Sequence, residues 1–298
     1  MSAVLTPVAA PTLNALERGI AMPVIYASLF GAPVRREDLR ARVVGVRANE
    51  DEIERALHTE GLRSMLITSG GDLWFRPGCA KETIDAFAGR RAATMDLLER
   101  HEDVLDFVRS LPWVHCAALS GGCAHETADD GDIDVFAVVA RGALWRTLAR
   151  TTLTAKIRGW RRILCLNYLV DETALELPWR DFYGGFELIS LKPLRGREWI
   201  QKIGRANPWV DSIFPNFLLS AESGQNPVTE FSPGPSPGLE FLARMIHRSY
   251  LRYRLPAGSG VELSDHVVRL HTRDHRVRLK GLFQDALQRI GMELPPWI

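Results

Sequence analysis

The sequence is poor in cysteine, in net charge and in long apolar runs, and each shortage excludes a class of protein. Four cysteines in 298 residues, none spaced CxxC, exclude a disulfide framework. Thirty-seven Lys+Arg against 36 Asp+Glu leave a formal charge of +1. That excludes a chain-wide polybasic nucleic-acid binder and an acidic disordered chain. The apolar stretch Ile20 to Phe30 is broken by Pro23 and is far shorter than the roughly 20 residues that cross a bilayer. No Lys or Arg precedes Arg18, so the basic region of a secretory signal is missing. The expectation is a cytoplasmic protein with no membrane association. His115, Cys116, Cys123 and His125 fall close together. Cys116 lies in an apolar run, where a thiol behaves as a small hydrophobe, so a zinc-type cluster is not expected there. No internal repeat is present.

The length suggests about two domains, and the pattern divides into three stretches. Residues 1–12 are small, apolar and Pro-containing, a loose leader. Leu13–Leu29 has helical periodicity, a second helix is expected over about Arg35–Val43, and a third starts at Asn49 and ends near Gly61. Ser64–Ser69 and Asp72–Phe75 flank Gly70-Gly71 as a hairpin. Three helices and a hairpin predict a winged helix-turn-helix over 1–80. Nine Arg balance nine Asp+Glu there, and the third helix begins Asn-Glu-Asp-Glu-Ile-Glu. Such a helix would carry negative charge toward phosphates, so DNA binding is not expected and a packing or interaction role is. A connecting helix over 80–109 leads into a core assigned to 81–222. A Pro/Gly-rich linker at 220–238 then precedes a helical C-terminal region within 223–298, with helices around Leu239–Tyr253 and Arg276–Ile290.

The chemistry concentrates in residues 114–139. A buried-strand pattern ends at Ser120-Gly121-Gly122, and Asp132-Ile133-Asp134 runs directly into a second apolar strand, Val135–Val139. Alternate strand residues share a face, so Asp132 and Asp134 project together while Ile133 points inward. Two carboxylates on one face suit Mg²⁺ (or Mn²⁺), which prefers oxygen ligands and phosphate partners. A neighbouring glycine pair lets backbone N–H groups approach phosphate oxygens without a Cβ clash. The plainer alternative is a solvated acidic loop beside a strand.

Gly121, Gly122, Asp132 and Asp134, with their short spacer, resemble the nucleotidyltransferase superfamily of DNA polymerase beta and the minimal nucleotidyltransferases. Further similarity lies in Leu144-Trp145, Cys165–Leu169, Ala206–Val210 and Phe214-Pro215-Asn216. With the N-terminal pattern these resemble a bacterial family of nucleotidyltransferase-domain proteins. The superfamily motif covers about a tenth of the chain; the wider pattern spans most of it. The resemblance implies an α/β (α+β) fold with a mixed sheet, an N-terminal winged helix and a helical C-terminal region. It implies transfer of a nucleoside monophosphate from an NTP to an acceptor: a small molecule, a protein or an RNA end. Asp132 and Asp134 would be the metal ligands, and Ser120, Gly121 and Gly122 would cradle phosphates.

Many superfamily members add a third carboxylate on the next core strand. Here that strand is expected over Ile163–Val170 and its central polar residue is Asn167, which cannot accept a proton at neutral pH. Asp171 and Glu172 follow at the strand end as substitutes. A catalytically inactive nucleotide-binding or protein-interaction protein of the same fold is therefore the alternative to an enzyme. Arg141–Arg162 holds seven Lys+Arg and no acid. Arg146, Arg150 and Lys156 in this run are candidate phosphate contacts. A second basic stretch over 241–290 interleaves Tyr250 and Tyr253 with Arg248, Arg252 and Arg254, a pattern compatible with RNA contact. His271–Asp274 resembles a recurring stretch of the same family and has no chemical role assigned.

Overall fold

The computed structural model describes residues 13–128, 131–220, 237–254, 260–270 and 276–298. The leader, most of the 220–238 linker and His271–Asp274 lie outside the described residues. The fold is mixed α/β.

The N-terminal part contains α1 (Ala15–Ser28), β1 (Val34–Arg35), α2 (Arg36–Arg42), α3 (Glu50–Leu57), α4 (Glu60–Met65), β2 (Leu66–Ser69) and β3 (Asp72–Phe75). The three strands form an antiparallel sheet in the order β1-β3-β2. The expected third helix is divided in two. After α3, Thr59 Oγ1 accepts from Leu62 N and starts α4, which takes Ser64 and Met65 out of the expected strand.

Pro23 lies inside α1 and has no N–H to give the carbonyl of Gly19. That carbonyl accepts instead from Val44 N at 3.0 Å, and a Cβ on Gly19 would collide with Val44 O. The proline and the glycine together let the α2–α3 loop lie against α1.

The connecting helix breaks at His101 into α5 (Lys81–Arg100) and α6 (Glu102–Ser110). The chain continues through β4 (Val114–Leu119), the single turn α7 (Gly121–Ala124), β5 (Ile133–Val139), α8 (Leu144–Ile157) and β6 (Leu164–Asp171). Then follow α9 (Phe182–Ser190), β7 (Lys192–Arg195), α10 (Arg197–Ala206), α11 (Trp209–Ile213) and α12 (Phe217–Ser220). The C-terminal part holds α13 (Pro237–Arg254), β8 (Val261–Leu263), β9 (Val267–Leu270) and α14 (Arg276–Arg289). The main sheet has the order β7-β4-β5-β6-β9-β8. Only β5–β6 is parallel, and α8 makes that crossover.

Strand alternation splits the core across this sheet. Val135, Ala137 and Val139 of β5 pack with Val104 and Val108 of α6 and with Trp145 and Leu148 of α8. Phe136 and Val138 face the other way, into a cluster that includes α1, Phe186 of α9, Phe214 and Phe283 of α14. Tyr26 of α1 meets Phe186 edge-to-face at 4.8 Å and Phe283 at 5.2 Å. The N-terminal helices thus share their core with the central and C-terminal parts.

Two buried asparagines fasten the connections. Asn216 accepts from Ala48 N at 2.9 Å and donates to Val46 O at 2.8 Å, tying the α2–α3 loop to the segment after α11. Asn207 accepts from Leu177 N and donates to Leu175 O and Ile203 O. At the start of α8, Glu240 of α13 accepts from the N–H groups of Trp145 and Arg146 at 2.7 and 3.0 Å. It satisfies donors that a helix N-terminus leaves open. No helix among the described residues is long and apolar enough to cross a membrane.

Candidate functional site

A cavity with a volume of about 510 Å³ lies on the Phe136 face of the main sheet. Its floor is set by β4, β5 and β6. Ser120 N donates to Asp134 O at 3.0 Å, which holds the end of β4 against the start of β5. Gly121 then turns with φ +53°, and a Cβ there would collide with Asp134 Oδ2. Only glycine accepts both the left-handed backbone and the carboxylate against its Cα. A Cβ on Gly122 would come within 3.0 Å of Ala128 Cα, so the second glycine brings the following loop close. Ser120 Oγ is buried with no hydrogen-bond partner and borders the cavity.

Asn167 owes its position to a β-bulge. Asp134 is in register with Cys165 and Val135 with Leu166, but Phe136 is in register with Tyr168, so Asn167 is the extra residue on β6. Before it, Leu164 and Leu166 face the α6/α8 side; after it, Leu169 does. The change of phase lets Asn167 and Tyr168 both reach the cavity, where Asn167 Nδ2 donates to Asp134 Oδ1 at 2.7 Å. Donor atoms of Asp132, Asp134 and Cys165 all lie within 4.8 Å of one another.

Of the residues expected from sequence, the structure brings together Ser120, Gly121, Gly122, Asp132, Asp134 and Asn167. It leaves Arg146, Arg150 and Lys156 outside the cavity wall. Helix α8 packs on the Val135–Val139 face of the sheet, opposite the cavity. It begins beyond the end of β5 that lies away from Asp134, and there Arg146 stacks on Trp113 at 3.8 Å. Asp171 and Glu172 are displaced by strand direction. Asp171 ends β6 opposite Val139, six residues and about 20 Å along the strand from Cys165. Its carboxylate meets Thr173 and His266 Nδ1 (2.8 Å), and Glu172 accepts from Arg141 N. Neither substitutes for a carboxylate beside Asp134.

The cations of the cavity come from the C-terminal part and were not singled out in the sequence. Arg269 of β9 is in register with Tyr168, lies over Trp179 at 4.4 Å and donates Nε to Gly260 O at 2.6 Å. Its Nη1 is buried with no partner. Arg278 of α14 adds a second guanidinium to the wall, and Phe30, Tyr168, Trp179 and Tyr183 supply most of the aromatic surface. A period-2 pattern in Val267–Leu270 marks a strand with Arg269 on one face. Its pairing with β6, about a hundred residues earlier, is not in the local pattern.

The segment after Gly122 is held by Glu126, at φ +58° and 7% exposed. Its carboxylate meets Lys192 Nζ (2.9 Å), Arg35 Nη2 (3.0 Å) and Arg91 Nε (2.9 Å). Burial alone would raise this carboxyl; the Lys192 hydrogen bond and the charges of Lys192, Arg35 and Arg91 outweigh it and hold it below its ordinary range. One carboxylate therefore connects β1, α5 and β7 to the segment that follows α7.

Comparison with protein-family models, with curated proteins and with solved structures returned no match.

Proposed function

We propose that this cavity binds a nucleoside triphosphate with a divalent ion and transfers its nucleoside monophosphate to an acceptor, releasing pyrophosphate. The observation that carries the reading is the meeting of Asp134 with the Gly121 turn, since it puts a carboxylate and a Cβ-free backbone at one corner of a large cavity, with Asp132 beside that carboxylate. Asp132 and Asp134 suit Mg²⁺ or Mn²⁺ in charge and donor type. When bound, the ion supplies neutralisation of phosphate charge and a lower pKa for the acceptor hydroxyl. The chain's own residues do the rest. Ser120 Oγ and the backbone of Gly121 and Gly122 orient phosphate oxygens. Arg269 and Arg278 meet their charge, and Trp179 and Tyr168 offer apolar surface for the remainder of the ligand. The acceptor class, whether small molecule, protein side chain or RNA end, stays open in this reading.

We read the N-terminal arrangement of α1, β1, α2, α3 and the β2–β3 hairpin as a winged helix with a packing role rather than a DNA-reading one. Leu29 and Phe30, just after α1, are part of the cavity wall, and the first turn of α3 is acidic.

A second reading, nucleotide binding without transfer, is favoured by one observation. Beside Asp134, β6 offers Cys165 and Asn167 and no carboxylate to act as a base. Thermal unfolding with each NTP, with and without Mg²⁺ or Mn²⁺, tests the shared part of both. A ligand at 100 times its Kd stabilises by about 2.7 kcal/mol. The expected result is metal-dependent stabilisation by at least one NTP that is lost in the Asp132→Ala/Asp134→Ala variant. No shift with any NTP overturns both readings, and pyrophosphate release then separates transfer from binding.

A further inference from the structure

Cys165 has no role in a site designed for magnesium, yet β6 sets it beside the pair of carboxylates. The parallel register sets it opposite Asp134, so both side chains leave the sheet on the same face. Its Sγ and the carboxylate oxygens of Asp132 and Asp134 lie within 4.8 Å of one another, a span that one ion bridges. A second observation comes from Asn167, which is more than nine-tenths buried at the cavity wall. Its Nδ2 is committed to Asp134 Oδ1, which orients that carboxylate and leaves the amide oxygen as a neutral donor at the same corner. The bulge that places Asn167 also keeps Cys165 on the carboxylate face.

We infer that the metal centre is a mixed oxygen–sulfur site, Asp132, Asp134 and Cys165, selective for a borderline divalent ion of the Zn²⁺ type over Mg²⁺. The inference rests on reading this corner as a divalent-ion site and goes beyond it in assigning the third ligand and the ion. Mg²⁺ demands oxygen ligands in near-octahedral geometry, whereas thiolate raises affinity for softer ions. Binding breaks the S–H bond of Cys165, forms the metal–sulfur bond and passes the proton to solvent. The thiolate then brings the negative charge that a third carboxylate would have brought, so Asn167 needs no charge of its own.

The test uses the full chain, stripped of metal and kept reduced, with Cd²⁺ as a spectroscopic probe. Cd²⁺ is expected to give a saturable ultraviolet thiolate charge-transfer band. The band should be lost in Cys165→Ser, weakened in Asp134→Asn and unchanged in Cys79→Ser. Zn²⁺ should displace Cd²⁺ at concentrations at least about tenfold below Mg²⁺, with the gap closing in Cys165→Ser. A band that survives Cys165→Ser overturns the inference. So does binding of Zn²⁺ and Mg²⁺ that depends on Asp134 but not on Cys165, and that result leaves the carboxylate site standing. Absence of binding by Cd²⁺, Zn²⁺ and Mg²⁺ alike removes the inference and the divalent-ion reading together.

Discussion

Asn167 holds Asp134: its amide nitrogen donates to Asp134 Oδ1 at 2.7 Å from the one residue by which β6 is longer than its partner strand. A carboxylate aimed by an amide is held at a fixed orientation toward a ligand. Asn167→Asp replaces that donor with a second carboxylate next to the first. Like charges in such proximity disfavour each other's ionised form. The expected outcome is a lower Tm without divalent ions and a larger Tm rise on adding Mn²⁺ or Mg²⁺ than in wild type. Differential scanning fluorimetry with and without metal reads both, and a variant whose Tm ignores metal would contradict the arrangement.

Gly121→Ala tests the turn itself. The new Cβ meets Asp134 Oδ2 in a backbone conformation at φ +53°, so carboxylate or turn must move. The left-handed conformation costs a non-glycine residue about 1–3 kcal/mol, and the displaced carboxylate adds to it. Denaturant unfolding should show a loss of at least that size, with NTP-dependent stabilisation abolished. Gly71, at φ +87° in the β2–β3 hairpin with open space around it, is the control. Gly71→Ala should destabilise by backbone strain alone and keep ligand binding.

How much of this was legible in the sequence depends on the range of the interaction. The glycine turn, Asp132 and Asp134 are written within fifteen residues, and period-2 alternation tells which side chains share a face. The bulge at Asn167 has no such signature, because one inserted residue reverses the alternation and local periodicity cannot say where. Arg269 is invisible for a different reason: its strand pairs with β6 across about a hundred residues of chain. The basic run at Arg141–Arg162 shows the limit of a charge count, which carries no direction. Only the antiparallel pairing of β4 with β5, which sets Trp113 beside the start of α8, shows that Arg146 lies over it.

Asn216 carries the attachment of the N-terminal helices to the rest of the chain. It is fully buried, and its amide accepts from Ala48 N and donates to Val46 O of the α2–α3 loop. Asn216→Ala leaves Ala48 N–H and Val46 C=O without these partners, at a cost of about 1–3 kcal/mol for each unsatisfied buried group. Hydrogen exchange should show the loss of protection concentrated at residues 44–50. Uniform loss over the whole chain would mean that the asparagine supports the fold in general and not this junction.

The Glu126 contact predicts an acid dependence with a definite sign. Its carboxyl is held below its ordinary range in the folded chain, so the unfolded chain binds the proton more readily. The stabilisation is therefore complete above the ordinary carboxylate range and is lost as pH falls through the lowered folded value. Glu126→Gln keeps the shape and removes the charge, leaving Arg35, Arg91 and Lys192 around a neutral amide. Arg91 and Lys192 are 42% and 35% exposed and can turn toward water. The expected cost at neutral pH is accordingly on the order of 2 kcal/mol, less than for a fully buried pair. Unfolding measured from neutral to acidic pH should show wild type and variant converging as the wild-type carboxyl is protonated. Curves that stay parallel throughout would place the stabilisation in the packing of residue 126 and not in its charge. Because Glu126 also fixes the segment that follows α7, the same variant should weaken metal-dependent NTP stabilisation at neutral pH, where the fold itself persists.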